Sequence, residues 1–190
     1  MVSNYKEVLY DNERLETERL ILRKSTKSDA PDILEYASDE ETVKFLEWPG
    51  AKTVDEVLSG IINFHWSNPG VWAIELKESQ KCIGTIDIRV EPAHDKCGLG
   101  YVLNRGYWNE GYMTEALIAV LALCFDKLDL NRVEAVHYAG NESSGKVMEK
   151  CGMKFEGVSE QAKKVKGIFR DVARYGITKA HWLFQRSLHE

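Results

Sequence analysis

Residues 101–116 read YVLNRGYWNEGYMTEA, and this stretch decides the fold. An apolar run predicts a strand that ends at Leu103. A turn containing Gly106 and Gly111 follows, and a helical pattern begins directly after it. The first N–H groups of a helix have no partner within the helix, and the helix dipole adds partial positive charge there. The turn therefore predicts a site that binds phosphate, with Gly111 allowing the backbone to approach the anion closely.

Two well-known phosphate-binding loops do not fit these residues. Gly106 and Gly111 have the spacing of a P-loop, but Tyr112 and Met113 stand in place of the Lys and the hydroxyl residue that such a loop needs. A dinucleotide fingerprint also fails, because its first glycines would lie within the strand, at residues 98 and 100, rather than after it. The sequence therefore predicts a cradle built from main-chain N–H groups.

Three segments, at residues 15–30, 108–116 and 141–153, together resemble one enzyme family, the GNAT N-acetyltransferases. Residues 108–113 (WNEGYM), followed by TEA at 114–116, resemble the acetyl-CoA pyrophosphate loop of that family. More narrowly, they resemble the branch that includes the ribosomal-protein N-terminal acetyltransferases RimJ and RimL. Residues 15–23 with Asp29-Ala30 resemble the opening strand and first helix of that branch, and residues 141–153 resemble its Asn-x-x-Ser helix.

The chain departs from this branch at two positions of the loop. Asn109 stands where Gly is usual, and the change is expected to be mild because Asn tolerates a left-handed backbone better than most residues do. Met113 stands where Gly or Ala is usual, and its larger side chain is expected to narrow the cradle.

The resemblance implies a fold, a reaction and a set of cofactor contacts. The implied fold is α/β, with a mixed, mostly antiparallel central sheet flanked by helices on both faces. The implied reaction is direct transfer of acetyl from acetyl-CoA to an amine, which requires no metal. The residues implied to contact acetyl-CoA are Tyr101, Val102 and Leu103 through their main chain, the turn residues Trp108, Asn109, Glu110, Gly111, Tyr112, Met113 and Thr114, and Asn141 and Ser144.

Many GNAT enzymes carry a Glu general base on the strand before the loop, and the corresponding position in this chain is Gly98. Asp87, an acid between two apolar residues of the preceding strand, is the best replacement, followed by Glu75 and His94. The alternative for each is a structural role as a solvated or ion-paired residue. The sequence alone leaves the identity of the base open.

For the leaving thiolate, many GNAT enzymes use a Tyr, and the residue at the matching position, Met148, cannot donate a proton. Ser144 follows Asn141 by about one helical turn, so both side chains can lie on one side of a helix near its start. Ser144 is therefore the candidate hydrogen-bond donor or acid to the CoA sulfur, and Asn141 resembles the residue that contacts the pantetheine arm. An ordinary helix-capping role for both residues is compatible with this interpretation.

The acceptor amine decides how much catalysis the protein must supply. An α-amine, with a pKa of about 7.7 to 8.0, is substantially neutral at about pH 7.5, whereas a Lys amine, with a pKa of about 10.4, is about 0.1% neutral. The leading expectation is the N-terminal α-amine of a protein such as a ribosomal protein. The alternatives are a small amine (amino acid, polyamine or aminoglycoside) and a CoA-binding module without turnover, since Gly98 and Met148 replace the usual catalytic residues.

The composition limits the class of protein. A chain of 190 residues predicts a single domain, with an N-terminal extension over residues 1–14 and a C-terminal tail over residues 180–190. The four cysteines form no Cys-x-x-Cys pair, and no run of about 18 apolar residues predicts a membrane span, so we expect a cytoplasmic protein. A net charge of -5 argues against nucleic-acid binding. We expect a monomer or a homodimer.

Hydrophobic periodicity predicts the order of the elements. Strands are predicted at residues 19–23, 71–78, 81–90, 97–103 and 132–138, and a closing hairpin at residues 153–159 and 168–178. Helices are predicted to start at Ser28 or Asp29 as the cap and run to residue 38, with a short second piece to 45, and then from Thr53 to 66, after the phosphate turn, and from Asn141.

Overall fold

The computed structural model describes residues 4–188 and contains one open sheet of eight strands. The strands are β1 (Leu15–Glu16), β2 (Leu20–Arg23), β3 (Val71–Leu76), β4 (Cys82–Glu91), β5 (Lys96–Leu103), β6 (Arg132–Tyr138), β7 (Lys154–Val165) and β8 (Ile168–Thr178). Their spatial order is β1-β2-β3-β4-β5-β6-β8-β7, and all neighbours are antiparallel except β5 and β6. This is the mixed, mostly antiparallel sheet that the sequence implied.

Helices cover both faces of the sheet, as expected. They are α1 (Tyr5–Asp11), α2 (Ala30–Ala37), α3 (Glu40–Val43), α4 (Val54–Gly60), α5 (Tyr112–Ala122), α6 (Glu142–Lys150) and α7 (Lys179–Ser187). The larger core lies between the sheet and α1, α5, α6 and α7, and a smaller core lies under α2 and α4 on the opposite face. Among the described residues, no helix combines the length and the apolar character needed to cross a bilayer.

The start of α2 lies where the sequence predicts it, with Asp29 in the cap position, Ala30 as the first helical residue and Pro31 in the first turn. The chain enters through a short helical turn, Lys27–Asp29, which is capped by Thr26, and neither Ser28 nor Asp29 makes a capping hydrogen bond to α2. The Asp29 carboxylate instead accepts hydrogen bonds from the Thr26 N–H at 2.7 Å and from both terminal nitrogens of Arg23. The predicted start and cap position of α2 are therefore confirmed, but the Asp29 carboxylate bonds to Thr26 and Arg23 rather than to an N–H group of α2.

Some elements were not predicted at their observed extent, among them β7, α7 and α1 (Tyr5–Asp11), which lies within the expected N-terminal extension. Strand β7 continues to Val165, six residues beyond the predicted end, as a mostly exposed polar strand whose pattern does not alternate. Helix α7 lies within the segment expected to be a C-terminal tail, and its Trp182 is only 7% exposed and stacks on Phe125 with ring centroids 5.7 Å apart. Residues 1–3 of the expected extension and 189–190 of the tail lie outside the described residues.

Candidate active site

Strands β5 and β6 separate in the middle of the sheet. Strand β4 pairs with the whole of β5, but the parallel pairing of β5 with β6 covers only Lys96, Cys97 and Gly98. Beyond Gly98 the two strands diverge, and α5 and α6 follow them. The result is an opening bounded by β5, β6 and the starts of these two helices.

Main-chain groups of β5 face this opening. The Asn104 N–H donates to the Ile83 carbonyl at 2.8 Å, and the register then makes Thr85 and Val102 a hydrogen-bonded pair. By the alternation of an antiparallel ladder, the N–H and C=O groups of Tyr101 and Leu103 point away from β4 and towards the opening. Val102, which the sequence grouped with these two, turns its main chain to β4 instead.

The turn that follows β5 has the geometry of an anion cradle. Asn109 and Gly111 both have a left-handed backbone, with φ of 65° and 80°, which confirms that Asn is tolerated there. In the described part of the chain, the N–H groups of Asn109, Glu110 and Gly111 make no hydrogen bond. They lie directly before α5, whose own first N–H groups lack intrahelical partners.

The expectation that Met113 narrows the cradle is wrong. Its side chain is 4% exposed and packs into the larger core, so the bulk points away from the turn. Trp108 fixes the other end of the turn to β5, because its indole N–H donates to the Leu103 carbonyl at 2.8 Å. The turn is therefore anchored at both ends while its central N–H groups stay free.

A clamp from the N-terminal segment fixes the start of α5. The Glu115 carboxylate accepts hydrogen bonds from the Thr17 hydroxyl at 2.6 Å, from the Arg19 N–H at 2.8 Å and from Arg19 Nε at 2.7 Å. Arg19 also donates to the Glu110 carbonyl at 3.0 Å, and its guanidinium lies 4.3 Å from the centre of the Tyr112 ring. Burial opposes ionisation of Glu115, but the bonds from Thr17 and Arg19 outweigh it and hold the pKa of this carboxyl below its ordinary value.

Asp87 reaches towards the opening across β5. It is paired in register with Gly100, and its Oδ2 lies 2.9 Å from the position that a Cβ on Gly100 would occupy. A Cβ on Gly98 would meet no heavy atom within 4 Å, so this face of β5 is open at Gly98, whereas Arg89 Nη2 lies 3.1 Å from the Cβ position of Gly100. The two glycines thus leave room for an acid on the neighbouring strand.

The Asp87 carboxyl is weakly partnered. The Arg89 Nε lies 3.4 Å from Oδ1, an ion-pair distance, but its geometry is not that of a hydrogen bond, and Oδ1 is buried without a hydrogen-bond partner among the described residues. Burial raises the pKa of Asp87, and Arg89 only partly opposes this effect. A carboxyl group with a raised pKa at the edge of a cleft suits proton transfer near neutral pH.

The other candidate bases lie in different surroundings. Glu75 is held in an ion pair by Arg23, whose Nε lies 2.5 Å from its Oε2. His94 lies exposed in the turn between β4 and β5, at the end of β5 away from the phosphate cradle. Of the three candidates, Asp87 alone lies beside Gly98 and Gly100.

Ser144 lies on the first turn of α6, on the opposite side of the opening. Its hydroxyl oxygen is 2.9 Å from the Tyr101 hydroxyl, which reaches across from β5. Asn141 stands at the start of α6 without a side-chain cap bond, and its Oδ1 accepts from the Ser143 hydroxyl at 3.1 Å. Met148 is buried in the larger core.

The sequence of this chain matches one family model, that of the acetyltransferase (GNAT) domain, over residues 19–154. The chain belongs to the GNAT acetyltransferase family. The N-acetyltransferase YoaA of Bacillus subtilis, itself uncharacterized, is 31% identical over 170 residues, which cover 87% of this chain and 96% of YoaA.

Solved structures agree with this assignment. A GNAT-family acetyltransferase from Bacillus anthracis is 26% identical, with a TM-score of 0.81 over 88% of this chain and 99% of that one. The microcin C7 self-immunity acetyltransferase MccE, solved with acetyl-CoA and AMP, is 19% identical, with a TM-score of 0.77 over 85% of this chain and 93% of MccE. The protein is thus an N-acetyltransferase with a GNAT fold.

In this GNAT acetyltransferase, charged residues also lie beyond Asp87 on the face of the sheet that carries α2. The Tyr138 hydroxyl donates to Glu47 at 2.5 Å, and Lys163 Nζ lies 3.2 Å from the same carboxylate. Tyr138, then Lys163 and Arg89, hold the pKa of Glu47 below its ordinary value. The Arg89 side chain is 64% exposed. These residues line the side of the site away from α5 and α6.

Sequence reasoning missed two contacts of this GNAT domain. The Arg19–Glu115 clamp joins two segments that had been noted separately, and only their joint resemblance to one family hinted at a contact. The Tyr101 hydroxyl reaches Ser144, although only the main chain of Tyr101 had been assigned a role. Both contacts span large sequence separations, so periodicity and spacing carry no signal for them.

Proposed function

We propose that this GNAT acetyltransferase uses acetyl-CoA as its donor and transfers the acetyl group directly to the α-amine of a protein N-terminus. The observation that carries the donor assignment is the opening between β5 and β6, which ends at a left-handed turn with free N–H groups at the start of α5. The acetyl-CoA found with the similarly folded MccE supports the same donor.

In this proposal the main chain holds most of the donor. The N–H groups from Asn109 to Thr114 bind the pyrophosphate, since they combine free donors with the positive end of the α5 dipole. The main-chain groups of Tyr101 and Leu103 bind the pantetheine amides, as an added strand would. Asn141, at the start of α6, contacts the same arm from the opposite side.

The reaction is divided between the two faces of the sheet. The amine nitrogen attacks the thioester carbonyl carbon, and Asp87, on one face, accepts the proton that the nitrogen releases. The C–S bond breaks with its electron pair on sulfur, and Ser144, on the other face, donates a hydrogen bond to the departing thiolate. Protonation of that thiolate by Asp87 or solvent gives CoA thiol and the N-acetyl product, so atoms and charges balance.

An α-amine acceptor fits this modest catalytic set. At about pH 7.5 such an amine is substantially neutral before it binds, so one carboxyl with a raised pKa suffices as the base. The sequence likeness to the RimJ and RimL branch favours an N-terminus of a ribosomal protein. Such a substrate would be met in the cytoplasm, a compartment in keeping with four buried, unbridged cysteines.

The test is release of free CoA thiol from acetyl-CoA by the purified chain, with a panel of acceptors. The panel contains peptides with free N-termini, the same peptides with blocked N-termini and an internal Lys, and small amines. We expect turnover with the free N-terminal peptides and about 200- to 300-fold less with the Lys amine, the ratio of their neutral fractions at about pH 7.5. Faster turnover with small amines would overturn the acceptor assignment, and no turnover with any acceptor would overturn catalysis.

A further inference from the structure

The hydroxyl of Tyr101 lies where it can control the hydrogen of Ser144. We infer that Tyr101 is a positioning residue, which orients the Ser144 hydroxyl as a hydrogen-bond donor towards the sulfur of the donor thioester. The inference rests on the proposed function, in which Ser144 stabilises the departing thiolate. It adds a role that neither the sequence pattern nor the fold assigns to this side chain.

The contact bridges the opening in the sheet. Tyr101 lies on β5, beyond the last residue that pairs with β6, and Ser144 lies on the helix that follows β6. The Tyr101 hydroxyl oxygen lies 2.9 Å from the Ser144 hydroxyl oxygen and 2.9 Å from the Ser144 carbonyl oxygen. The phenol therefore lies beside the same opening in which the thioester would lie.

Counting hydrogens leaves two arrangements, because each hydroxyl has only one proton. If the phenol donates to the Ser144 carbonyl, the 2.9 Å contact between the hydroxyls requires Ser144 to donate to the phenol, and Ser144 then has no proton left for sulfur. If the phenol donates to the Ser144 hydroxyl, the serine proton is free to point into the opening. Only the second arrangement supports the proposed role of Ser144.

The surroundings allow the second arrangement at little cost. Within α6 the Ser144 carbonyl has the helical position that accepts the N–H of Met148, so it does not depend on the phenol for a partner. Burial raises the pKa of Tyr101 despite the opposing hydrogen bond with Ser144. The phenol therefore keeps its proton throughout the neutral range and remains a donor.

The test is a double-mutant cycle with Tyr101→Phe, Ser144→Ala and the double variant, in the thiol-release assay with an N-terminal peptide. Tyr101→Phe keeps the ring in the core and removes only the hydroxyl. We expect kcat to fall about tenfold, as for loss of one net hydrogen bond, with KM for acetyl-CoA unchanged. In the Ser144→Ala background, the same change should have no further effect, because Tyr101 acts through Ser144.

Controls separate this inference from the proposed function. Tyr36→Phe, which removes the hydroxyl of a buried tyrosine on α2, should leave kcat unchanged. Thermal melting should show that all variants are folded. Equal losses of kcat from Tyr101→Phe with and without Ser144 would overturn the positioning role. An unchanged kcat in Tyr101→Phe would also overturn it, whereas an unchanged kcat in Ser144→Ala would overturn the proposed role of Ser144 and the inference with it.

Discussion

At the scale of single residues, the most informative side chain is Asp87. Its Oδ1 is buried without a hydrogen bond among residues 4–188, and its raised pKa comes from burial that the exposed Arg89 only partly offsets. A carboxyl whose folded pKa is raised contributes stability below its unfolded pKa and loses that contribution as the pH rises through the folded pKa. Asp87 is therefore not present for stability at neutral pH.

The variant Asp87→Asn tests the base. With an N-terminal peptide, kcat/KM of the wild type should rise with pH through the raised pKa of Asp87, since the base must be ionised. Asp87→Asn should lower kcat about 100-fold and leave only the rise due to the amine itself. Thermal melting at about pH 7.5 should show no loss of stability, by the linkage argument above.

The matched comparison is Glu75→Gln, which alters the acid on β3 that is paired with Arg23. That variant should lose stability without a change in the shape of the pH profile, because one partner of a partly buried ion pair is removed. If the pH profile of Asp87→Asn has the same shape as that of the wild type, Asp87 is not the base.

Single residues also show what the sequence leaves open. The tolerance of Asn109 for a left-handed backbone was predictable, because it is a local property of the residue type. The orientation of Met113 was not, since a side chain at the start of a helix faces the core or the solvent according to how the helix packs. The sequence could only suggest Asp87 as the base in place of the Glu that is missing at position 98. That suggestion depends on the β4–β5 register, which brings Asp87 opposite Gly100.

At the scale of elements, the start of α5 is stabilised by the bend that precedes β2, more than 90 residues away in sequence, through the hydrogen bond between Arg19 and Glu115. Glu115→Gln should therefore lower the free energy of unfolding by about 1 kcal/mol. This figure is smaller than that for fully buried charge-assisted bonds, because solvent screens the partly exposed Arg19. Because the pKa of Glu115 is lowered, this stability is present at neutral pH and is lost as the pH falls through the folded pKa.

Denaturant unfolding at about pH 7.5 and at about pH 3 measures this difference. The control is Glu41→Gln on α3, which removes an exposed pair with Lys44 and should change stability by less than about 0.5 kcal/mol. Calorimetric titration with CoA should also show weaker binding by Glu115→Gln, since the clamp orients the turn. Equal stability of wild type and Glu115→Gln at both pH values would show that the clamp carries no energy.

At the scale of the whole molecule, the strands were predictable and their arrangement was not. Apolar runs and turns indicated β2 to β6 and the closing hairpin, because those patterns are local. The spatial order β6-β8-β7 and the parallel pair β5–β6 follow from chain crossovers, for which the sequence has no local signal. The family resemblance implied the class of fold. The opening at the candidate site exists because β5 and β6 pair over only a short length.

The central claim is that the turn before α5 binds the pyrophosphate of CoA, and its most direct test is calorimetric titration of CoA into Gly111→Glu. Gly167→Glu is the matched control, because Gly167 also has a positive φ, 85° against 80°, and lies in open space in the β7–β8 turn. We predict that Gly111→Glu loses about 100-fold or more in CoA affinity, as two or more charge-assisted hydrogen bonds are lost, while Gly167→Glu binds like the wild type. Wild-type affinity of folded Gly111→Glu would contradict the account.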